Sequence, residues 1–294
     1  MQQPALFEYV LRMADDSLIL GQRLGEWCGH GPILEEDIAI TNISLDLIGQ
    51  AISLYDLAAE LEGEGKTHDD LAFLRFEKSL INDGVKNGKK PIYIQIPTAA
   101  GRESESRLNH WRELGREQAE RIGVESIFLP IYDRDGANNQ EFADQIKDSA
   151  LVYMSGGDPH YLANSLIDTP VWKAVYENYL SGGSIAGCSA GAMVLSSHIP
   201  NFRLSKSEPT VGLNLIPKIR VIPHFDKFFK WIPESAAKIL LNTPSDGILI
   251  GIDELTALIK RSNSNTWQVS GKGKVHILKG LKEQQLIAGD EISF

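Results

Sequence analysis

Gly187-Cys188-Ser189-Ala190-Gly191 spells G-x-S-x-G directly after the apolar stretch Ser184-Ile185-Ala186 and ahead of Ala192-Met193-Val194-Leu195. A serine on a sharp strand-to-helix turn is held in a strained backbone conformation, and glycine on either side lets that turn close without Cβ clashes. The hydroxyl then stands clear of the sheet, and the next amide, that of Ala190, points to where an oxyanion would form. A serine hydroxyl is a poor nucleophile at neutral pH and needs a base, with a carboxylate to orient the base. Of the seven histidines, His224 closes the apolar run Ile219-Arg220-Val221-Ile222-Pro223. Catalytic groups of open α/β sheets converge at such strand ends. Glu254 closes the run 248–253 in the same way and is the candidate carboxylate, with Glu208, in a polar loop after the elbow, as the alternative. Gly156-Gly157 follows a third apolar run. Glycines there let the backbone approach a substrate, so the Gly157 and Ala190 amides would form a two-donor oxyanion hole. Serine holds the nucleophile position, so Cys188 reads as a small buried neighbour. No histidine has H-x-x-H or H-E-x-x-H metal spacing, and this chemistry calls for no cofactor.

The elements that must position these groups fall into two textures. Residues 1–81 carry apolar positions at helical spacing: Phe7, Val10, Leu11, Ala14 and Leu18 in one segment, and a second over roughly 34–62. Gly29-His30-Gly31-Pro32 separates them, Gly63-Glu64-Gly65 ends the second, and a short helix is expected at 68–80. Glu35, Glu36 and Asp37 suit a solvated helix start, where the helix end is positive. Asn82-Asp83-Gly84 and Asn87-Gly88 read as turns, so residues 82–90 are taken as a linker. From 91 to 294 strands alternate with helices. Strands are expected near 91–96, 127–131, 150–154 and 184–186, with helices at 104–122, 139–147 and 160–180 between them. Shorter strands follow from about 218, with one more helix near 233–241. That alternation predicts an α/β domain on a mostly parallel sheet with helices on both faces.

The chain has 294 residues and a net charge of −10. Residues 1–81 hold 15 acidic and 5 basic side chains, whereas the remainder has 24 of each sign. That asymmetry suggests two regions of different role and speaks against nucleic-acid binding by either. No run of 18 apolar residues suggests a membrane span, no secretory signal is visible, and two cysteines are too few for a disulfide framework. The cytoplasm is the expected compartment.

Over residues 90–294 the motifs S-G-G-D-P (155–159), A-G-C-S-A-G-A (186–192), L-N-L-I-P (213–217), I-P-H-F (222–225) and G-I-D-E-L-T-A (251–257) resemble peptidase family S51, which includes aspartyl dipeptidase and cyanophycinase. The resemblance implies a class I glutamine-amidotransferase-like three-layer sandwich with a Ser-His-Glu triad, here Ser189, His224 and Glu254. It also implies an oxyanion loop at 156–157 and a peptide-like substrate with Asp-linked groups. Basic residues near the elbow would bind such groups, and Arg102, Arg134 and Arg203 are available. The family's opening strand and glycine-rich turn find no counterpart before Pro91.

Residues 23–39, 42–51 and 69–75 instead resemble the structural C subunit of phenylacetyl-CoA epoxidase. That implies an all-α, partial ferritin-like segment over 1–81 without a working metal site: Asp46-Leu47-Ile48-Gly49 stands where a di-iron helix needs Glu-x-x-His. The sequence thus joins two partial relatives near 76–88. It is expected to be a serine hydrolase cleaving a peptide or isopeptide bond. The alternative is a non-catalytic subunit or fragment of a phenylacetyl-CoA epoxidase complex of phenylacetate catabolism, with the hydrolase part inactive and residues 1–81 associating with themselves or with a ferritin-like subunit.

Overall fold

The computed structural model describes residues 3–63, 65–73, 75–199, 210–227, 247–261 and 264–294. Glu208, Arg203 and the helix expected at 233–241 lie outside them. Contacts divide the chain into two units, residues 1–78 and 79–294.

The first unit is a pair of long helices, α1 (Gln3–Gly25) and α2 (Leu34–Glu62), followed by α3 (His68–Phe73). Val10, Leu11 and Ala14 form one buried cluster with Ala51, Tyr55, Ala58 and Leu71. Tyr55 donates to Asp15 at 2.7 Å and Ser44 to the Gly21 carbonyl at 2.6 Å, so polar groups also tie α1 to α2. Asp37 does more than face water: its carboxylate accepts the Gly29 and Gly31 amides at 2.9 and 3.0 Å, which closes the turn between the helices. Other apolar side chains stay open, among them Leu6, Tyr9, Met13 and Leu20 on α1 and Ile38, Leu45 and Ile52 on α2. By length and composition α2 could cross a membrane, although Thr41, Asn42, Ser44 and Asp46 interrupt its apolar runs.

Helix α4 (Arg75–Lys86) carries the boundary between the units. The linker expected at 82–90 is therefore helical as far as Lys86. Gly84 is there for close approach: a Cβ on it would come within 2.5 Å of the Ala150 carbonyl oxygen. The turn falls instead at Gly88, where φ is +86°.

The second unit then alternates: β1 (Lys90–Ile96), α5 (Glu105–Ile122), β2 (Glu125–Phe128), α6 (Arg134–Ala137), α7 (Gln140–Ile146), β3 (Ser149–Met154), α8 (Pro159–Leu166), α9 (Pro170–Leu180), β4 (Ser184–Gly187) and α10 (Ala190–Met193). Strands β1–β4 form one parallel sheet in the order β2-β1-β3-β4. Ile94, Ile96, Val152 and Met154 are fully buried in one cluster with Leu162, Leu166 and Val175 from the helices. The single helix expected at 160–180 is two. Asp168 takes φ +58°, Thr169 caps the next helix through the Trp172 amide, and Pro170 occupies its first turn, where a missing N–H costs nothing.

Beyond α10 the texture changes. A short ladder pairs β5 (His198–Ile199) with β6 (Thr210–Val211). Strands β7 (Ile219–Pro223) and β8 (Ile248–Ile252) are parallel neighbours. They are followed by β9 (Thr256–Lys260), β10 (Trp267–Gly271), β11 (Val275–Lys279), β12 (Gln284–Leu286) and β13 (Glu291–Ile292). These make a sheet in the order β12-β11-β8-β7 and another in the order β13-β10-β9. The expected mostly parallel sheet is that of β1–β4; in these two later sheets every pairing except β7–β8 is antiparallel. For β11 and β12 the reason is local, since the link 280–283 suits a hairpin and is too short for a parallel crossover.

Candidate active site

Ser189 sits between β4 and α10 with φ +49° and ψ −111°, a conformation L-residues seldom adopt. Its flanking glycines are sterically required. A Cβ at Gly187 would lie 2.3 Å from the Gly191 carbonyl oxygen, and one at Gly191 would lie 2.3 Å from that of Met154. The turn is therefore pressed against the end of β3, where the Cys188 amide donates to the Met154 carbonyl at 3.1 Å. The Ser189 carbonyl accepts the Ala192 and Met193 amides, which starts α10. The Ser189 hydroxyl makes no hydrogen bond among the described residues, and the Ala190 side chain beside it is fully buried.

The loop after β3 reaches the same place. A Cβ at Gly156 would come 3.3 Å from that of Ser189 and 3.6 Å from the Trp111 ring. Gly157 adopts φ +142°, and a Cβ on it would collide with the Ala99 carbonyl oxygen at 2.2 Å. Asp158 pins the loop from the far side. Its amide donates to Ala99, and its carboxylate accepts the His160 and Tyr161 amides at 2.9 and 3.0 Å, capping α8. Burial pushes the Cys188 thiol pKa upward, which keeps it protonated at neutral pH.

His224 follows β7 and Glu254 follows β8, the two parallel neighbours, so adjacent strands deliver them together. His224 Nδ1 lies 3.2 Å from Glu254 Oε1. The other carboxylate oxygen accepts from Lys227 Nζ, and the Glu254 amide donates to Asp226 at 2.9 Å. Hydrogen bonding from Lys227, ahead of that from His224, holds the Glu254 carboxyl below the usual carboxylate range. His224 and Leu255 both have positive φ, +52° and +54°. Lys227 and Asp226 are the partners that spacing alone did not single out. They lie in the helical stretch 225–227 that follows His224, and only the fold shows that it faces the end of β8.

A cleft of about 450 Å³ lies beyond the ends of β1–β3, with Arg102, Asp133, Asp158 and Tyr161 in its wall. The Arg102 guanidinium stacks 4.0 Å from the Tyr161 ring centre, whereas Arg134 is committed to the Asn164 and Ile167 carbonyls.

Together these features define an α/β protein with a serine on a sharp strand-to-helix turn at a strand end, preceded by a helical segment. The sequence profile of peptidase family S51 matches residues 61–266, and the chain belongs to that family. A crystallised peptidase from an acI-B1 actinobacterium is 67% identical, with a TM-score of 0.73 over 75% of this chain and 90% of that one. The cyanophycinase of Nostoc sp. is 30% identical over 209 residues, 65% of this chain and 64% of that protein. The profile of the phenylacetic acid catabolic proteins matches residues 1–116. The C subunit of 1,2-phenylacetyl-CoA epoxidase from Escherichia coli is 56% identical over 77 residues, 26% of this chain. The chain spans 31% of that protein's length and just under two thirds of the cyanophycinase's.

Proposed function

We propose that residues 91–294 form a serine peptidase domain that cleaves a peptide or isopeptide bond through an acyl-enzyme. Ser189 attacks the carbonyl carbon while its proton passes to His224 Nε2. The reading is carried by the His224 Nδ1–Glu254 contact of 3.2 Å, which leaves Nε2 as the nitrogen free to act as base. Glu254, rather than Glu208, orients the ring and stabilises its cation. The Gly157 and Ala190 amides hold the oxyanion. Protonated Nε2 then returns the proton to the leaving amine, and water releases the acyl group by the same route reversed. A peptide with an Asp-derived residue is the favoured substrate class, by the likeness to cyanophycinases. Fluorophosphonate labelling tests the assignment: the wild type should be labelled and Ser189→Ala should not, and equal labelling of both would remove it.

A second reading concerns residues 1–81, and the 56% identity to the epoxidase protein favours it. These helices would associate with themselves or with a ferritin-like subunit. Co-purification with such a subunit would support that role, and failure to bind one would leave self-association as the alternative.

A further inference from the structure

We infer that His276 and Asp253 form a positioning couple for the His224–Glu254 pair, an inference that rests on the serine peptidase reading above. His276 on β11 places Nε2 at 3.0 Å from Asp253 Oδ1, and both side chains are largely buried, at 15% and 13% exposure. The remaining Asp253 oxygen accepts the Lys274 amide at 2.9 Å, and the Asp253 amide donates back to the Lys274 carbonyl at 3.1 Å. Asp253 is thereby fastened at three points, two on Lys274 just before β11 and one on His276 within it. It immediately precedes Glu254.

The other face of the couple reaches His224. The His276 ring packs on Phe225 with centroids 4.7 Å apart. Phe225 immediately follows His224. Opposite His276 in the β8–β11 register stands Gly251, and a Cβ there would lie 2.4 Å from Phe225 Cγ. Phe225 therefore occupies the space that the absent side chain leaves, beside the His276 ring. One buried imidazole thus touches both chain segments of the candidate dyad, one by a hydrogen bond and the other by its ring. Both segments need holding: His224 and Leu255, which flank the contact, sit at positive φ, a conformation kept only where surrounding structure enforces it. His276 touches no reacting atom in this arrangement. Its effect passes through the placement of Nε2 of His224.

The test is the concentration dependence of fluorophosphonate labelling, which separates the maximal rate kinact from the half-saturation KI, read beside thermal melts. In His276→Leu, kinact should fall roughly 10–100-fold, the loss a displacement of about 1 Å causes, with KI unchanged. His276→Gln, whose amide can still donate to Asp253, should recover most of the rate. A group that only fills space would lower the melting temperature and leave kinact of the folded protein alone. Should His276→Leu melt below the assay temperature, Phe225→Leu takes its place with the same expectation. Wild-type kinact in either folded variant, or no recovery with Gln, overturns the couple while Ser189→Ala still vouches for the reading. Folded wild type that takes no label, or Ser189→Ala that takes it, removes both.

Discussion

One methyl group added at Gly157 should slow acylation about a hundredfold while the fold survives. Gly157 adopts φ +142°, and an L-residue held there costs about 1–3 kcal/mol. The new Cβ would also lie 2.2 Å from the Ala99 carbonyl oxygen and 2.4 Å from its carbon. That carbonyl cannot swing aside as a flexible side chain could, because Ala99 is buried and its oxygen already accepts the Asp158 amide at 2.8 Å. The strain therefore has to be relieved by moving the 155–158 loop, which takes the Gly157 amide from the place the proposed oxyanion hole requires. Loss of one oxyanion donor costs about 10²–10³ in turnover, or ~2.7–4 kcal/mol of transition-state stabilisation. The same strain should lower the melting temperature by roughly 2–12 °C in a unit of this size. The assay is kinact for a fluorophosphonate beside a thermal melt, wild type against Gly157→Ala. A variant that melts several degrees lower but labels at the wild-type rate would show that this amide holds no oxyanion. A variant unchanged in both would show that the loop is not clamped as described.

Two further outcomes follow from the same geometry. Ser189→Gly should abolish labelling yet stabilise the protein by about 1 kcal/mol, since glycine accepts φ +49° freely; a melting temperature at or below wild type would refute stored strain at the elbow. Lys227→Ala should raise the Glu254 carboxyl toward the ordinary range, because the Lys227 ammonium is the first cause holding it down. The sign is that of a depressed folded-state value. The stabilisation is complete above the unfolded glutamate range, near about 4.3, and is lost as pH falls through the lower folded value. Removing Lys227 makes that stabilisation smaller and its loss finish at higher pH, and a ¹³C titration of the Glu254 carboxyl would read the raised midpoint; an unmoved midpoint would refute it.

The sequence was most informative where one residue type is required for one reason. Glycines 187 and 191 mark the elbow because no side chain fits there, and the apolar runs before His224 and Glu254 mark strand ends. Adjacency of β7 and β8 was not legible, since strand order depends on long-range packing. Without that order, the Lys227–Glu254 contact and the His276–Asp253 couple have no local signal. Gly84 shows the opposite error: a glycine that serves helix-on-sheet approach looks in sequence like a turn. Thr169-Pro170 was a legible helix start hidden inside a longer periodic stretch. The antiparallel pairings after residue 256 escaped because their side-chain alternation is the same for either strand direction.

The open apolar side chains of α1 and α2 lie within the stretch that also carries the whole of the chain's net negative charge. The like charge on these helices opposes contact between separate molecules through that apolar surface. As pH falls toward 5.2 the whole chain loses its net charge, so repulsion between molecules fades while the apolar surface stays open. Colloidal stability should reach its minimum there.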